Sequence, residues 1–296
     1  MTRTIEGSEQ FYSPDSEQLQ FFKDTTGITD ETELKKHIID VQREAYKVHA
    51  YPCIFNFSFM KLTLACLSAY NRVLELGKLR KDAIFLDVGC CFGNDVRKAI
   101  MDGFPMERVI CTDLLADFWM LGHKLFRTTP ETYPVAFLAG DIFDPDFLKP
   151  ADPFYAALPS EQEPEVSTIS SLSPLHGHVS VISICNVFHL FDTEEAQTRL
   201  ARALASLLSP QPGSMIIGTQ AARPEQGSRL EKLEKDHLDH VTVYYHSPES
   251  WEALWNGEIF RRGTVKVEAL LIEHQVKNSV VGEVKYWFMD WSVTRL

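Results

Sequence analysis

Five short, nearly continuous apolar runs punctuate the middle of the chain. IFLDVG (84–89), RVICTD (108–113), VAFLAGD (135–141), HVSVISICNVFHL (178–190) and SMIIGTQ (214–220) lack the alternation of a half-exposed strand. They read as strands buried on both faces. Helical patterns lie between them. DVRKAIMDG predicts a helix ending at Gly103, and DFWMLGHKLF (117–126) another. Asp192 and Glu195 fit a capping box with Asp192 as N-cap. The helix behind it places Ala196, Leu200, Leu204 and Leu207 on one face and stops at Ser209-Pro210. TVKVEALLIEHQ (264–275) and VKYWFMDWSV (284–293) are long and β-rich, with Asn278 and Gly282 between them, and predict an antiparallel hairpin. Strand–helix alternation followed by a terminal hairpin predicts an α/β fold with a mostly parallel sheet and one reversed strand.

Ahead of the first strand the period is helical. Leu34, His37, Ile38, Val41 and Ala45 mark an amphipathic helix over 31–49, with solvated charges on its outer face. Tyr51-Pro52 breaks it, because the residue before a proline avoids the α region. A second helix is expected over 58–77. Residues 1–30 read as a loose arm with short helical pieces. This divides the chain into an N-terminal arm and helical cap, 1–77, and a main domain, 78–296. Within the latter, the Ser-, Pro- and Glu-rich stretch 159–176 is expected to be a mobile surface insertion.

Composition narrows the function. An apolar fraction of 45% in 296 residues supports a full core. The balance of 29 basic against 41 acidic side chains, net charge −12, argues against nucleic-acid and anionic-membrane partners. The first residues, MTRTIEGSEQFYSPDSEQ, resemble no signal or transit peptide, and no apolar run is long enough for a membrane span. The six cysteines show no zinc spacing, and Cys90 and Cys91 are adjacent. They read as reduced thiols of a cytoplasmic protein with no metal site.

The chemistry gathers at the strand ends. The first strand closes in Asp87-Val88-Gly89-Cys90-Cys91-Phe92-Gly93, a turn that a ligand can approach closely. Asp113 ends the second strand, where an acid can accept both hydroxyls of a ribose. Asp141 ends the third, where an acid can meet the exocyclic amine of an adenine. Each acid alone could merely cap the following helix; the ordered set marks one crevice. A nicotinamide dinucleotide is the rival occupant. Its glycine-rich turn would need one more glycine, and Asp87 would face a pyrophosphate unfavourably. The same acid suits the ammonium of an amino-acid cofactor, which favours S-adenosylmethionine (SAM).

Asp87-x-Gly89-x-Cys91-x-Gly93 resembles the Asp/Glu-x-Gly-x-Gly-x-Gly turn of class I SAM-dependent methyltransferases, with Cys91 in place of the middle glycine. More closely, AYPCI (50–54), FLDVGCCFGNDVRKAI (85–100), DFWMLGHKLF (117–126), VFHLF (187–191), LARALASLLSPQPGS (200–214) and HSPESWEALW (246–255) resemble a fungal group of small-molecule methyltransferases. The resemblance covers most of the chain from about residue 30. It implies a Rossmann-like class I methyltransferase sheet and O-methylation of secondary metabolites, either phenols or carboxyl groups in meroterpenoid pathways. It also implies that Asp87, Gly89, Cys90, Gly93, Asp113 and Asp141 hold SAM, later released as S-adenosylhomocysteine. Leu114 and Ile142 would flank the nucleoside, and Asn186 would lie near the methionine end.

For the acceptor, a phenol profits from a general base, and His189 follows the fourth strand where methyl and acceptor should meet. The alternative is that His189 only bonds a loop carbonyl. His246, among Tyr244, Tyr245 and Trp251, is a second catalytic candidate. Tyr51, Phe57, Tyr245, Trp251 and Trp287 are expected to line an apolar acceptor site beneath the cap. The expected function is O-methylation of a phenolic or related aromatic small molecule. The alternatives are carboxyl methylation of a polyketide–terpenoid acid and a non-catalytic SAM-binding partner protein.

Overall fold

The computed structural model describes residues 5–156, 164–232, 240–278 and 282–296. The strands are β1 (Ile84–Val88), β2 (Val109–Asp113), β3 (Ala136–Ala139), β4 (Val179–Cys185), β5 (Met215–Ala222), β6 (Gly227–Lys232), β7 (His240–Tyr245), β8 (Val265–Asn278) and β9 (Gly282–Arg295). Seven of them form one sheet in the order β3-β2-β1-β4-β5-β9-β8. The first five are parallel; β9 runs antiparallel to both β5 and β8. The order reverses between β1 and β4, and a ligand crevice opens beyond strand ends at such a reversal.

Helices cover both faces, which is why the strand sequences do not alternate. They are α1 (Ser16–Thr26), α2 (Glu31–Val48), α3 (Pro52–Phe55), α4 (Tyr70–Leu79), α5 (Asn94–Met101), α6 (Ala116–Leu125), α7 (Glu194–Leu207) and α8 (Pro248–Trp255). Ile84, Leu86 and Val88 of β1 face the α7 and α8 layer, with Leu200, Leu204 and Trp251. Phe85, one residue out of phase, faces Val73 of α4 and Val96 and Ala99 of α5. Fully burying one such side chain contributes about 1.5–3 kcal/mol.

A third cluster joins the N-terminal helices to the sheet domain. Phe22, Leu34, Ile38 and Ala45 pack with Phe118, Leu125 and Phe126 at α6, and with Phe92 of the first strand's turn. His37 Nε2 lies 2.8 Å from the Leu125 carbonyl. The buried Gln42 donates to Ile54 O at 3.1 Å and thereby fixes α3.

Several elements depart from expectation. The helix expected over 58–77 begins only at Tyr70. Before it, Phe57 is left-handed (φ 60°) and 3-10 turns occupy Ser58–Met60 and Leu64–Cys66. These bends let the chain thread between the cap and α5, whose side chains take up its freed backbone groups. The N-cap of α7 is Thr193, not Asp192; its side chain accepts from Ala196 N at 3.2 Å. Part of the expected insertion, 159–163, lies outside the described residues. Its second half is tied down. Val166, Leu172 and Leu175 belong to the α7-side core, and Leu172 N donates to Phe147 O at 2.9 Å. The hairpin β6–β7 and helix α8 were not foreseen.

Candidate active site

The turn after β1 is held by its neighbour strand. Gly89 N and Cys90 N both donate to Thr112 O, at 2.9 and 3.2 Å, and Gly93 N closes on Cys90 O at 2.8 Å. Gly89 and Gly93 are left-handed (φ 73° and 76°) and crowded. A Cβ on Gly89 would sit 2.5 Å from Val187, and one on Gly93 2.7 Å from Trp119. Cys91 adopts the same left-handed region, φ 51°. It thus takes the backbone conformation expected of a glycine, at a steric cost of about 1–2 kcal/mol.

Asp113 braces that conformation. Its carboxylate accepts from Cys91 N at 2.9 Å and from Leu115 N at 3.1 Å. Burial raises its pKa, against the pull of these backbone N–H groups. Asp87 is buried at 5% exposure and accepts from the Ser183 hydroxyl at 2.5 Å. Burial pushes it up to about 7, opposed by Ser183 and helped by nearby Asp113. Asp141 is exposed at the end of β3 and accepts from Phe143 N at 2.8 Å. Leu114 is 63% exposed, an uncovered apolar side chain directly after Asp113. Ile142 is half-buried against the core. Asn186 is left-handed (φ 61°), and its N–H donates to Thr219 O at 2.8 Å.

These residues fit SAM. The buried Asp87 carboxylate, with no ion-pair partner among the described residues, suits an ammonium. A strand-end carboxylate and a bare leucine suit a nucleoside.

A stretch of 52 residues near the N-terminus carries a family likeness of its own. Residues 9–60 match the family described as Meroterpenoid methyltransferase N-terminal domain. The chain is 32% identical over 226 residues to O-methyltransferase phiE of a fungal species, covering 76% of this chain and 65% of that one. Along about three quarters of its length the chain is thus similar to fungal O-methyltransferases. It is also 29% identical to methyltransferase ausD of Aspergillus calidoustus, covering 78% of this chain and 72% of that one. To O-methyltransferase atr3 of Stereocaulon alpinum it is 32% identical, covering 81% and 61%. The match therefore spans slightly less than two thirds of phiE and atr3.

Beside the crevice, the N-terminal helices pack on the turn after β1 and on α6. Asn94 Nδ2 donates to Phe59 O at 2.6 Å, and Asp95 Oδ1 accepts from Leu64 N at 3.0 Å. The first two residues of α5 thus bind the irregular segment between α3 and α4. Burial pushes Asp95 up to about 7, with Asp87 raising it further and the Leu64 and Thr63 N–H groups opposing. Tyr51 packs against Phe118 and lies within electrostatic reach of Asp113, after burial the main cause of its raised pKa. Cys53 of α3 is pushed up to about 11 by burial, with Asp113 a minor contributor.

The acceptor candidates divide. His189 is half-buried just past β4, with Phe288 of β9 edge-on at 6.4 Å. Its Nδ1 accepts from Ala221 N at 3.3 Å, and burial lowers its pKa to about 4. The ring is therefore neutral at pH 7 with its proton on Nε2. Tyr245 gives its hydroxyl to Glu231 at 3.1 Å, and Arg223 lies between its ring and Trp287. Three expectations need correction. Trp251 has no exposure and lies in the core against Phe188 and Trp291, so it lines nothing. His246 is 1% exposed between Tyr244 and Trp251, its Nδ1 paired with Ser250 Oγ at 2.9 Å. Phe57 is 4% exposed within the cluster that joins the N-terminal helices to the sheet domain. For Trp251 and Phe57 an apolar ring is worth more packed against its neighbours than lining an open cleft.

Sequence reasoning missed Asn94, Asp95 and Ser183. Asn94-Asp95 directly after Gly93 carried a visible signal, since two polar residues opening a helix beside the cofactor turn invite a second role. Ser183 carried none, being a small polar residue inside a mostly apolar strand.

Proposed function

We propose that the chain is a cytoplasmic O-methyltransferase that transfers the methyl group of SAM to a phenolic or related aromatic small molecule. On this reading residues 1–77 are the cap and 78–296 the cofactor domain. The carrying observation is the set of strand-end acids around the glycine turn, with the aromatic cap packed on that turn. Bound SAM supplies an activated methyl. Asp87 receives its ammonium, Asp113 its ribose, and Asp141 its adenine amine, with Leu114 and Ile142 beside the base. The protein's remaining work is to align the acceptor oxygen and exclude water.

The acidity of the acceptor end favours a neutral acceptor. Asp87, Asp95 and Asp290 all lie within electrostatic reach of Cys185 at the end of β4. Among the described residues, none of the three carboxylates has an ion-pair partner. An anionic acceptor would be repelled there, whereas a phenol, with reference pKa about 10, arrives neutral. The net charge of −12 argues in the same direction against nucleic acid. No helix of the described residues is long and apolar enough to cross a membrane.

One observation favours the carboxyl reading. His189, fixed as the Nε2–H tautomer, donates rather than accepts, and a carboxylate oxygen is its natural partner. Methyl transfer from labelled SAM to a panel of phenols, benzoic acids and thiols tests both. Methylated phenols are the expected product. Labelled benzoate esters alone would transfer the assignment to the carboxyl reading, and no turnover of any acceptor would leave a SAM-binding partner protein.

A further inference from the structure

The site has an acid on the acceptor side that no motif marks. β9 packs its odd-numbered residues, Met289, Trp291 and Val293, into the core with α7 and α8. The residues between them face the opposite side of the sheet. Phe288 there meets the ring of His189. Ser292 there receives the Arg72 guanidinium of α4 at 3.0 Å. Asp290 sits between these two. Its register partner on β5 is Thr219, which also pairs with Cys185, the last residue of β4. Asp290 is thus level with the carboxyl edge of the sheet, beside the Asn186 turn and on the same face of β9 as Phe288. It is half-buried, and among the described residues its carboxylate has no hydrogen-bond or ion-pair partner.

His189 cannot take a proton from the acceptor through Nε2 while that nitrogen already carries one and Nδ1 accepts from Ala221 N. Asp87 and Asp95 are already engaged, the first by Ser183 and the second by the cap backbone. On the reading that the acceptor is a phenol, we propose that Asp290 is the general base of the methyl transfer and that His189 orients the same oxygen.

The step balances. The acceptor oxygen forms the bond to the methyl carbon, the carbon–sulfur pair returns to sulfur, and the hydroxyl proton passes to an Asp290 oxygen and then to water. The thiols of Cys66 and Cys185, both with raised pKa, lie within electrostatic reach of Asp290. Arg72, which reaches this face at Ser292, is held by Glu268 at 2.6 Å. Asp95 and Asp87 complete the acidic side.

The test uses the full chain and a phenol that the wild type methylates. Asp290→Asn keeps the side chain's size. It should lower kcat by about 10²–10⁴-fold, the usual contribution of a positioned base. Affinity for S-adenosylhomocysteine should remain within twofold. Raising the pH should recover part of the loss as solvent supplies phenolate, and Asp290→Glu should recover part at neutral pH. A merely structural acid would give neither recovery. Full activity of Asp290→Asn on that phenol would remove the assignment to Asp290 while leaving the methyltransferase reading intact. If the wild type methylates no phenol, both readings fall.

Discussion

Asp113 is the residue whose loss separates binding from bracing most sharply. In Asp113→Ala two things disappear at once. The ribose hydroxyls lose a charged acceptor, which costs about 1.5–3 kcal/mol. At about 1.4 kcal/mol per decade, that is a roughly 10–150-fold rise in Kd. The turn also loses the acceptor for Cys91 N and Leu115 N, at 2.9 and 3.1 Å. Leaving such donors unmet costs about 1–3 kcal/mol where they are shielded from water. For a domain of this size, each 1 kcal/mol lowers Tm by about 2–4 °C. Asp113→Asn keeps a carbonyl oxygen and should recover part of the stability while binding stays weak. Calorimetric titration with S-adenosylhomocysteine and thermal unfolding of the ligand-free protein read the two effects independently. Unchanged affinity in Asp113→Ala, whatever its Tm, would show that the carboxylate only pins the turn.

Three further perturbations follow from the site. Cys91→Gly relieves about 1–2 kcal/mol of left-handed strain but adds about 0.5–1 kcal/mol of unfolded-state entropy; Tm should stay level or rise slightly, and a fall of several degrees in a thermal melt would contradict the strain. His189→Gln retains an N–H near the Nε2 position and should keep kcat within about tenfold, whereas His189→Ala should raise KM by roughly 2–12-fold through one lost neutral hydrogen bond; a hundredfold kcat loss in His189→Gln would restore the histidine as base. Asp87, raised by burial to about 7, stabilises the ligand-free fold least at high pH. The contribution of this raised carboxyl is fully present below its unfolded value and is lost as pH rises through about 7. An arriving ammonium holds it ionised, so SAM binding at pH 6.5 should release protons; titrations in buffers of different ionisation enthalpy measure this, and proton uptake would contradict it.

The sheet was legible because its signal is local. Parallel strands buried on both faces must be apolar throughout, so β1 to β5 stand out in the chain, and the long hairpin stands out by length. The strand-end acids were legible for the same reason: Asp87 and Asp113 lie in the last two positions of β1 and β2, and Asp141 comes two residues after β3. Helix onset at Tyr70 was not legible, because Phe57 to Cys66 hold an apolar content compatible with a helix. Only the bonds from Asn94 and Asp95 show why that segment bends instead.

What the sequence alone determined, then, was the alternating α/β order and the cofactor crevice, since each rests on residues adjacent in the chain. Tertiary structure decided which aromatic and acidic side chains reach that crevice. Trp251 and His246 lie beside apparent site residues in sequence, yet burial against Phe188 and Trp291 draws them into the core. Asp290 lies 203 positions after Asp87 in the chain (290 − 87), inside an unremarkable strand, and is brought to the acceptor end by antiparallel pairing with Thr219. Strand register and packing are long-range choices, settled by which faces can be buried together, and no local pattern encodes them.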